Sequence, residues 1–195
     1  MARSSYHHGD LRSALVREGL ALLEEQGEAG LSLRGIARRV GVSQTAPYSH
    51  FANKRELLAA VATVGFERFG RTMQREAEAG TNPSDRLLGL GVGYVLFALE
   101  NPALFRLMFA GDLSQLATNT EFQAAAGDSF GVLRDGVGAF GGSQSDSVST
   151  AAWALVHGLA ELLLNGRIER PESPDDVRAL VRRVLSVLNP SGPMK

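Results

Sequence analysis

Residues 42–50 read Val-Ser-Gln-Thr-Ala-Pro-Tyr-Ser-His, placing Gln44, Thr45, Tyr48, Ser49 and His50 within a single short run. Amide, hydroxyl, phenol and imidazole groups at this density suit recognition by hydrogen bonding, because such groups match base edges and phosphate oxygens. A second pair, Trp153 and His157, stands four residues apart and therefore on one face of a helix. It suits the wall of a ligand pocket, or alternatively a histidine satisfied inside a core. No second histidine or carboxylate cluster accompanies His157, so no metal and no cofactor are expected. The chain has no cysteine, which excludes disulfides, thiolate metal sites and thiol nucleophiles. "GLGVG" at 89–93 lacks the G-x-G-x-x-G spacing of a dinucleotide loop and lies in a helical pattern, where close helix packing explains it. No catalytic constellation emerges, and the chain is not read as an enzyme.

The elements that must position these groups are helical throughout, since no useful strand alternation occurs. A first helix starts after Asp10 and carries Leu11, Leu15, Leu22 and Leu23 to a stop at Gly27. A second begins at Ser32, aligns Leu33, Ile36, Ala37 and Val40, and ends at Gly41. Ser43 is read as the cap of a third, two-turn helix in which Pro47 is only the fourth residue, so its missing N–H costs one local bond, while its restraint on Ala46 can tighten or tilt the first turn. Asn53 caps a long fourth helix with Glu56 as reciprocal partner, a capping box. Asn82-Pro83, Asn101-Pro102 and Ser173-Pro174-Asp175-Asp176 mark further starts, and "AFGGSQSD" at 139–146 reads as a loop. The fold class is therefore all-α with roughly nine helices. Residues 1–55 are expected to form a three-helix domain, and 56–195 a larger helical one.

Helix, glycine turn and short helix over 32–51 form a helix-turn-helix, whose second helix enters the major groove. Ile36, Ala37, Val40, Val42 and Phe51 supply its small core, leaving Gln44, Thr45, Tyr48 and Ser49 outward. An ordinary helical hairpin with a polar face is the other reading of the same spacing. Charge leans towards a polyanion partner: residues 1–55 hold eight Lys/Arg against five Asp/Glu, while the remainder holds twelve against sixteen. The N-terminus lacks the apolar core of a signal peptide, and the apolar run 151–164 is interrupted by His157 and Glu161 and too short for a bilayer. A cytoplasmic protein without membrane partners is expected.

"LSLRGIARRVGVSQTAPYSHFANKRELLAAV" (31–61) resembles the DNA-binding segment of the TetR (tetracycline-repressor) family. The shared features are Ala37 with the Gly41-Val42-Ser43 turn, Tyr48-x-His50-Phe51, and Lys54 followed by Glu56-Leu57-Leu58. Beyond it, "NPALFRLMF" and "AAWALVHGLAEL" resemble the Trp-x-x-x-His-Gly type of C-terminal domain in that family. The resemblance implies a homodimeric transcriptional repressor that binds double-stranded DNA at a palindromic operator and is released by a small-molecule effector. It puts Gln44 and Thr45 at base edges, Tyr48 and His50 against the DNA backbone, and Lys54 at a phosphate. Arg34 is placed at a phosphate or groove edge, and Ser32 and Ser43 at phosphates or simply as helix caps. Arg3 in the arm 2–8 is a candidate for the minor groove, with a frayed terminus as the alternative.

In the C-terminal part, Phe66, Phe69, Phe97, Phe105, Phe109, Phe130, Trp153 and His157 are candidate pocket residues, with a packed core as the plainer reading. The last two helices, about 146–166 and 174–188, carry apolar stripes. Leu155, Leu159, Leu162, Val177, Leu180, Val181 and Val184 on these stripes are the expected dimer interface, unless both stripes face the subunit's own core. A DNA-binding regulator controlled by a protein partner and a helical enzyme are the rival functions.

Overall fold

A computed structural model describes residues 8–111, 119–141 and 145–188. The arm containing Arg3 lies outside the described residues. Among them are eight α-helices: α1 (His8–Gly30), α2 (Leu33–Val40), α3 (Lys54–Glu78), α4 (Pro83–Glu100), α5 (Pro102–Met108), α6 (Thr120–Gly141), α7 (Ser145–Leu164) and α8 (Pro174–Leu185). A 3-10 helix, Ala46–Ser49, lies between α2 and α3, and a second, Ser186–Leu188, follows α8.

The described residues gather in two units, one drawn from 1–65 and 103–124, the other from 66–102 and 125–195. Residues 54–65 of α3 count with the first and 66–78 with the second. In the first unit, Leu15, Leu23, Ile36, Ala37, Phe51, Leu57 and Val61 are buried together with Leu104 and Phe105 of α5. Gly19 lets α1 approach closely, since a Cβ there would meet Val61 Cγ2 at 3.2 Å. The second unit is organised on α4, where every residue from Gly89 to Leu99 is buried. A helix apolar all round is stable only when surrounded. Accordingly α7 and α8 both pack on α4 and on each other, with Val92, Val95, Leu96, Leu159, Leu163, Val177 and Val181 forming the shared core.

The glycine run of α4 packs backbone to backbone against α3. A Cβ on Gly89 would fall 2.4 Å from the Glu76 carbonyl oxygen, and one on Gly93 2.7 Å from Met73 Cα, so α3 backbone occupies the space of a methyl group. Gly91 meets the other side, against Val181, Leu185 and Val156. Close packing is thus the role of these glycines.

Several starts are built as their sequences imply. The Ser32 hydroxyl accepts the Gly35 N–H at 3.1 Å, and Gly41 closes α2 in the left-handed region (φ 79). Asn82 accepts from the Asp85 N–H, and Ser173 with Asp176 forms a full capping box. The stop at Gly27 is built too: the first helix breaks there (φ 68, ψ −179), a conformation glycine adopts freely, and a further turn carries α1 to Gly30. Three local expectations need correction. The Asn53–Glu56 box is offset, for Asn53 Oδ1 accepts the Glu56 N–H but Glu56 takes the N–H of Ala52 in return. The 139–146 loop is shorter, because α6 reaches Gly141 and α7 begins at Ser145. The third correction of substance, at 43–50, belongs to the recognition surface below.

α7 also departs from the reading of its apolar run, as Ser147–Leu164 is 18 residues long with mean hydropathy 1.4, enough by length and composition to cross a membrane. Leu159 and Leu163 nevertheless sit in the helical core, which accounts for that apolarity.

Candidate nucleic-acid interface and C-terminal polar network

Recognition residues expected on a two-turn α-helix stand instead on a single 3-10 turn, Ala46–Ser49, entered through Val42–Thr45. Pro47 explains this. It has no N–H to donate and disfavours α conformation at Ala46, so the chain tightens to i→i+3 bonding. The backbone N–H groups of Ala46, Tyr48 and His50 donate to the carbonyls of Ser43, Thr45 and Pro47 at 3.0, 3.1 and 3.0 Å. Ser43 thus begins the turn with its backbone carbonyl, while its hydroxyl lies 3.1 Å from that of Thr45. Pro47 itself is buried, and Phe51 behind it is buried with the Arg12 guanidinium 5.6 Å over its ring. The turn is held from beneath, which frees its outer side chains.

Ser32, Arg34, Ser43, Gln44, Thr45, Tyr48 and Ser49 are all exposed, Tyr48 to 48%. Among the described residues, the side chains of Arg34, Gln44 and Tyr48 have no hydrogen-bond or ion-pair partner, so their donors and acceptors remain available. Ser32 acts as a cap, and the Ser49 hydroxyl donates to the Ala46 carbonyl at 2.8 Å. Lys54 donates to the Glu28 carbonyl at 2.6 Å, which ties the start of α3 to the kinked end of α1. Its ammonium has three donors, so this bond leaves capacity for a phosphate. His50 is half-buried, and its Nε2 is enclosed with no partner. Arg39 is held by Glu18 at 3.0 Å and Glu25 at 2.6 Å, and its guanidinium keeps the Glu25 carboxyl below its ordinary pKa. It fastens α2 to α1.

In the second unit a polar chain crosses the helices. Trp153 Nε1–H can only donate, and it donates to the Tyr94 hydroxyl oxygen at 3.3 Å. The Tyr94 hydroxyl also lies 2.8 Å from His157 Nδ1, and either group can donate, according to the histidine tautomer. Burial lowers the His157 pKa, opposed by Glu161 one turn on, and burial raises that of Tyr94. Both shifts preserve the neutral chain at physiological pH. Tyr94 escaped the sequence reading as a site residue, although a phenol inside the otherwise apolar Gly-Val-Gly-Tyr-Val-Leu-Phe was a signal, because a buried hydroxyl needs a partner.

The other pocket candidates divide. Phe69 packs on Tyr94 and Phe97 at ring distances of 4.7 and 5.2 Å, and Phe66 is buried in the same unit. Phe105 and Phe109 belong to the first unit, 4.8 Å from each other. Phe130 and Trp153 pair edge-on at 5.4 Å and are each 37% exposed. Among the dimer candidates, Leu159, Val177 and Val181 are buried in the subunit's own core, with Leu180 and Val184 packed against it. Leu155 is half-buried and Leu162 is 46% exposed. The exposed face of α7 also bears a shallow depression lined by Ser147, Thr150, Ala151 and Ala154.

Comparison with known proteins follows the same division. Residues 15–61 match the family of bacterial regulatory proteins named tetR, and residues 87–188 match the tetracyclin repressor-like C-terminal domain. The class C tetracycline repressor protein of Escherichia coli is 51% identical over 51 residues, which cover 26% of this chain and 23% of that protein. An HTH-type transcriptional regulator of Mycobacterium bovis is 24% identical over 162 residues, covering 82% of this chain and 67% of its own. A solved structure from Rhodococcus sp. RHA1, described as a protein with unknown function, superposes with a TM-score of 0.79 at 30% identity, covering 95% of this chain and 98% of that one.

Proposed function

This chain belongs to the TetR family of bacterial regulatory proteins, and from that premise we propose that it is a DNA-binding transcriptional repressor acting inside the cell as a homodimer. The observation that carries this reading is the exposed set Arg34, Gln44, Thr45 and Tyr48, presented by a buried Pro47–Phe51 base next to the Gly41 turn. Gln44 reads a base edge, its amide being suited to adenine N6 and N7. Thr45 and Tyr48 contact an adjoining base or phosphate, while Ser32, Ser43, Ser49, His50 and Lys54 frame the phosphate backbone. Two such surfaces related by a two-fold axis occupy successive major grooves about 34 Å apart on a palindromic operator.

The dimer face lies on the outer side of α7, where Leu155 and Leu162 flank the Ala151–Ala154 depression and Trp153 is partly exposed. A second copy covers this apolar surface across a four-helix contact. Residues 1–55 serve DNA and 56–195 serve dimerisation and effector binding. A small-molecule effector bound among the C-terminal helices favours the conformation that binds DNA less well, which requires a differential affinity of a few kcal/mol for the two states.

Fluorescence anisotropy with labelled duplex from upstream of the protein's own coding region tests the DNA reading. Specific binding that weakens steeply between about 50 and 200 mM salt is expected. Equal affinity for that duplex and for unrelated DNA at moderate salt would overturn it. Sedimentation of wild type against Leu162→Glu tests the dimer face, with a dimer expected to become a monomer.

A further inference from the structure

Arg68, Arg71 and Arg75 follow one another on α3 at spacings of three and four, so their side chains share one helical face, and all three are exposed. Glu78 ends the line. Beside them the last turn of α4 brings Phe97 and Asn101, and together these residues line a groove of about 550 Å³ within the second unit. That volume falls in the range of small-molecule sites.

The groove's charge is not explained by the fold around it. Like charges at these helical spacings repel one another. Among the described residues, Arg68 and Arg71 have no carboxylate within ion-pair distance. Arg75 has a contact of 3.7 Å to Glu76, but Glu76 is itself engaged by Arg178 at 2.9 Å. Nor are the arginines needed to cap α4. Its Phe97 carbonyl accepts from the Asn101 side chain at 3.1 Å, and its Leu99 carbonyl accepts from Arg170 at 2.9 Å. The positive line stands in the part of the chain whose net charge is otherwise negative. Phe97, its ring tilted 5.2 Å from that of Phe69, is nearly buried and reaches the groove only at an edge beside this line.

We propose that this groove binds an anionic amphiphile. A phosphate or carboxylate head is held by Arg68 and Arg71, and an apolar or aromatic body lies against Phe97. Guanidinium forks match both heads with paired hydrogen bonds. The inference names the chemical class of the effector, and rests on the effector reading only for its consequence on DNA. Because α3 also supplies Lys54 and the core residues Leu57 and Val61 to the first unit, the ligand grips the helix that carries both.

Calorimetric titration of the full chain with octyl phosphate, octanoate and octanol tests the site, using wild type and Arg68→Gln/Arg71→Gln. Both anions are expected to bind wild type while octanol does not, and the double variant, folded by circular dichroism, should bind them at least tenfold more weakly. The tighter of the two anions identifies the head group. Absence of binding at millimolar concentration, equal binding of octanol, or equal affinity in the double variant overturns the proposal. The same compounds added to the DNA complex separate the two readings. Arginine-dependent binding without any change in DNA affinity would leave the groove standing and remove the effector role. DNA release that is equal in wild type and double variant would do the reverse.

Discussion

Gln44, Thr45 and Tyr48 stand exposed at and just before a single 3-10 turn, whereas Tyr94 is buried in the middle of α4 with its hydroxyl tied to Trp153 and His157. The first group is polar and unspent, resting on a short apolar base of Pro47 and Phe51. The second is polar and fully used, its partners drawn from a helix some sixty positions away in sequence. A surface that recognises another molecule keeps its hydrogen-bonding capacity in reserve, while a core consumes it internally. Substitutions should therefore separate cleanly. Those on the turn cost binding and little stability, and those around α4 cost stability first.

The largest effect is expected at Gly93. A methyl group there meets Met73 Cα at 2.7 Å, and a backbone atom cannot rotate away as a side chain would. Gly93→Ala forces α3 and α4 apart and should destabilise by about 3 kcal/mol, the upper end of overpacking costs. Urea unfolding measures it. A variant as stable as wild type would show the second unit to be slack, and the contrast with the turn would lose its basis.

Next comes Gln44→Ala, expected to weaken specific DNA binding by about 1–3 kcal/mol, with the loss confined to one position of each half-site. Its stability should stay within about 0.5 kcal/mol of wild type, as for other exposed positions without structural partners. Anisotropy on duplexes substituted base by base, alongside a urea melt, reads both quantities. A stability loss larger than the binding loss would place Gln44 with the core residues instead.

Tyr94→Phe comes third. Removing the hydroxyl leaves Trp153 without its acceptor and takes away the 2.8 Å bond to His157 Nδ1, for a cost of about 1 kcal/mol. Trp153 is the chain's one tryptophan, so its fluorescence reports the lost bond directly. An unchanged emission spectrum with unchanged stability would mean that the network is ornamental to the fold.

How much of this was legible beforehand follows from the range of the interactions involved. Ser32, Gly41, Asn82 and Ser173 announced themselves as caps because capping involves residues within four positions. The recognition residues were legible as a set for the same reason. Their backbone was legible only in part: Pro47's missing N–H and its restraint on Ala46 were both visible, but a two-turn helix was still expected where the chain forms i→i+3 bonds. In the second unit the apolar stripes of α7 and α8 were visible, yet periodicity cannot say which surface covers a stripe. Leu159, Val177 and Val181 turned out to be covered by α4. The Trp153–Tyr94–His157 chain and the arginine groove depend on pairings between distant segments, which spacing along one helix does not encode.

The smallest effect, and the finest test of the comparison, is the pH dependence of His157. Its pKa in the folded protein is lowered by burial, with Glu161 opposing, from an ordinary value near 6.5. Above that value neither folded nor unfolded chain carries the proton, and His157 contributes no slope. As pH falls from about 7 towards 5, the unfolded chain takes up the proton first, so stability declines until the folded imidazole protonates as well. The protonated ring carries a hydrogen on both nitrogens, so Nδ1 can then only donate to the Tyr94 oxygen, beside the Trp153 N–H. His157→Gln, neutral throughout, should therefore have a flatter stability profile over that interval than wild type, while their curves run parallel above pH 7.5 or so. The ring is only about half-buried, so solvent screens part of the effect and the divergence should be modest. Profiles that stay parallel to pH 5 would mean that the buried chain tolerates a charge as readily as the exposed turn does, and the distinction between reserved and spent polar groups would not extend to this histidine.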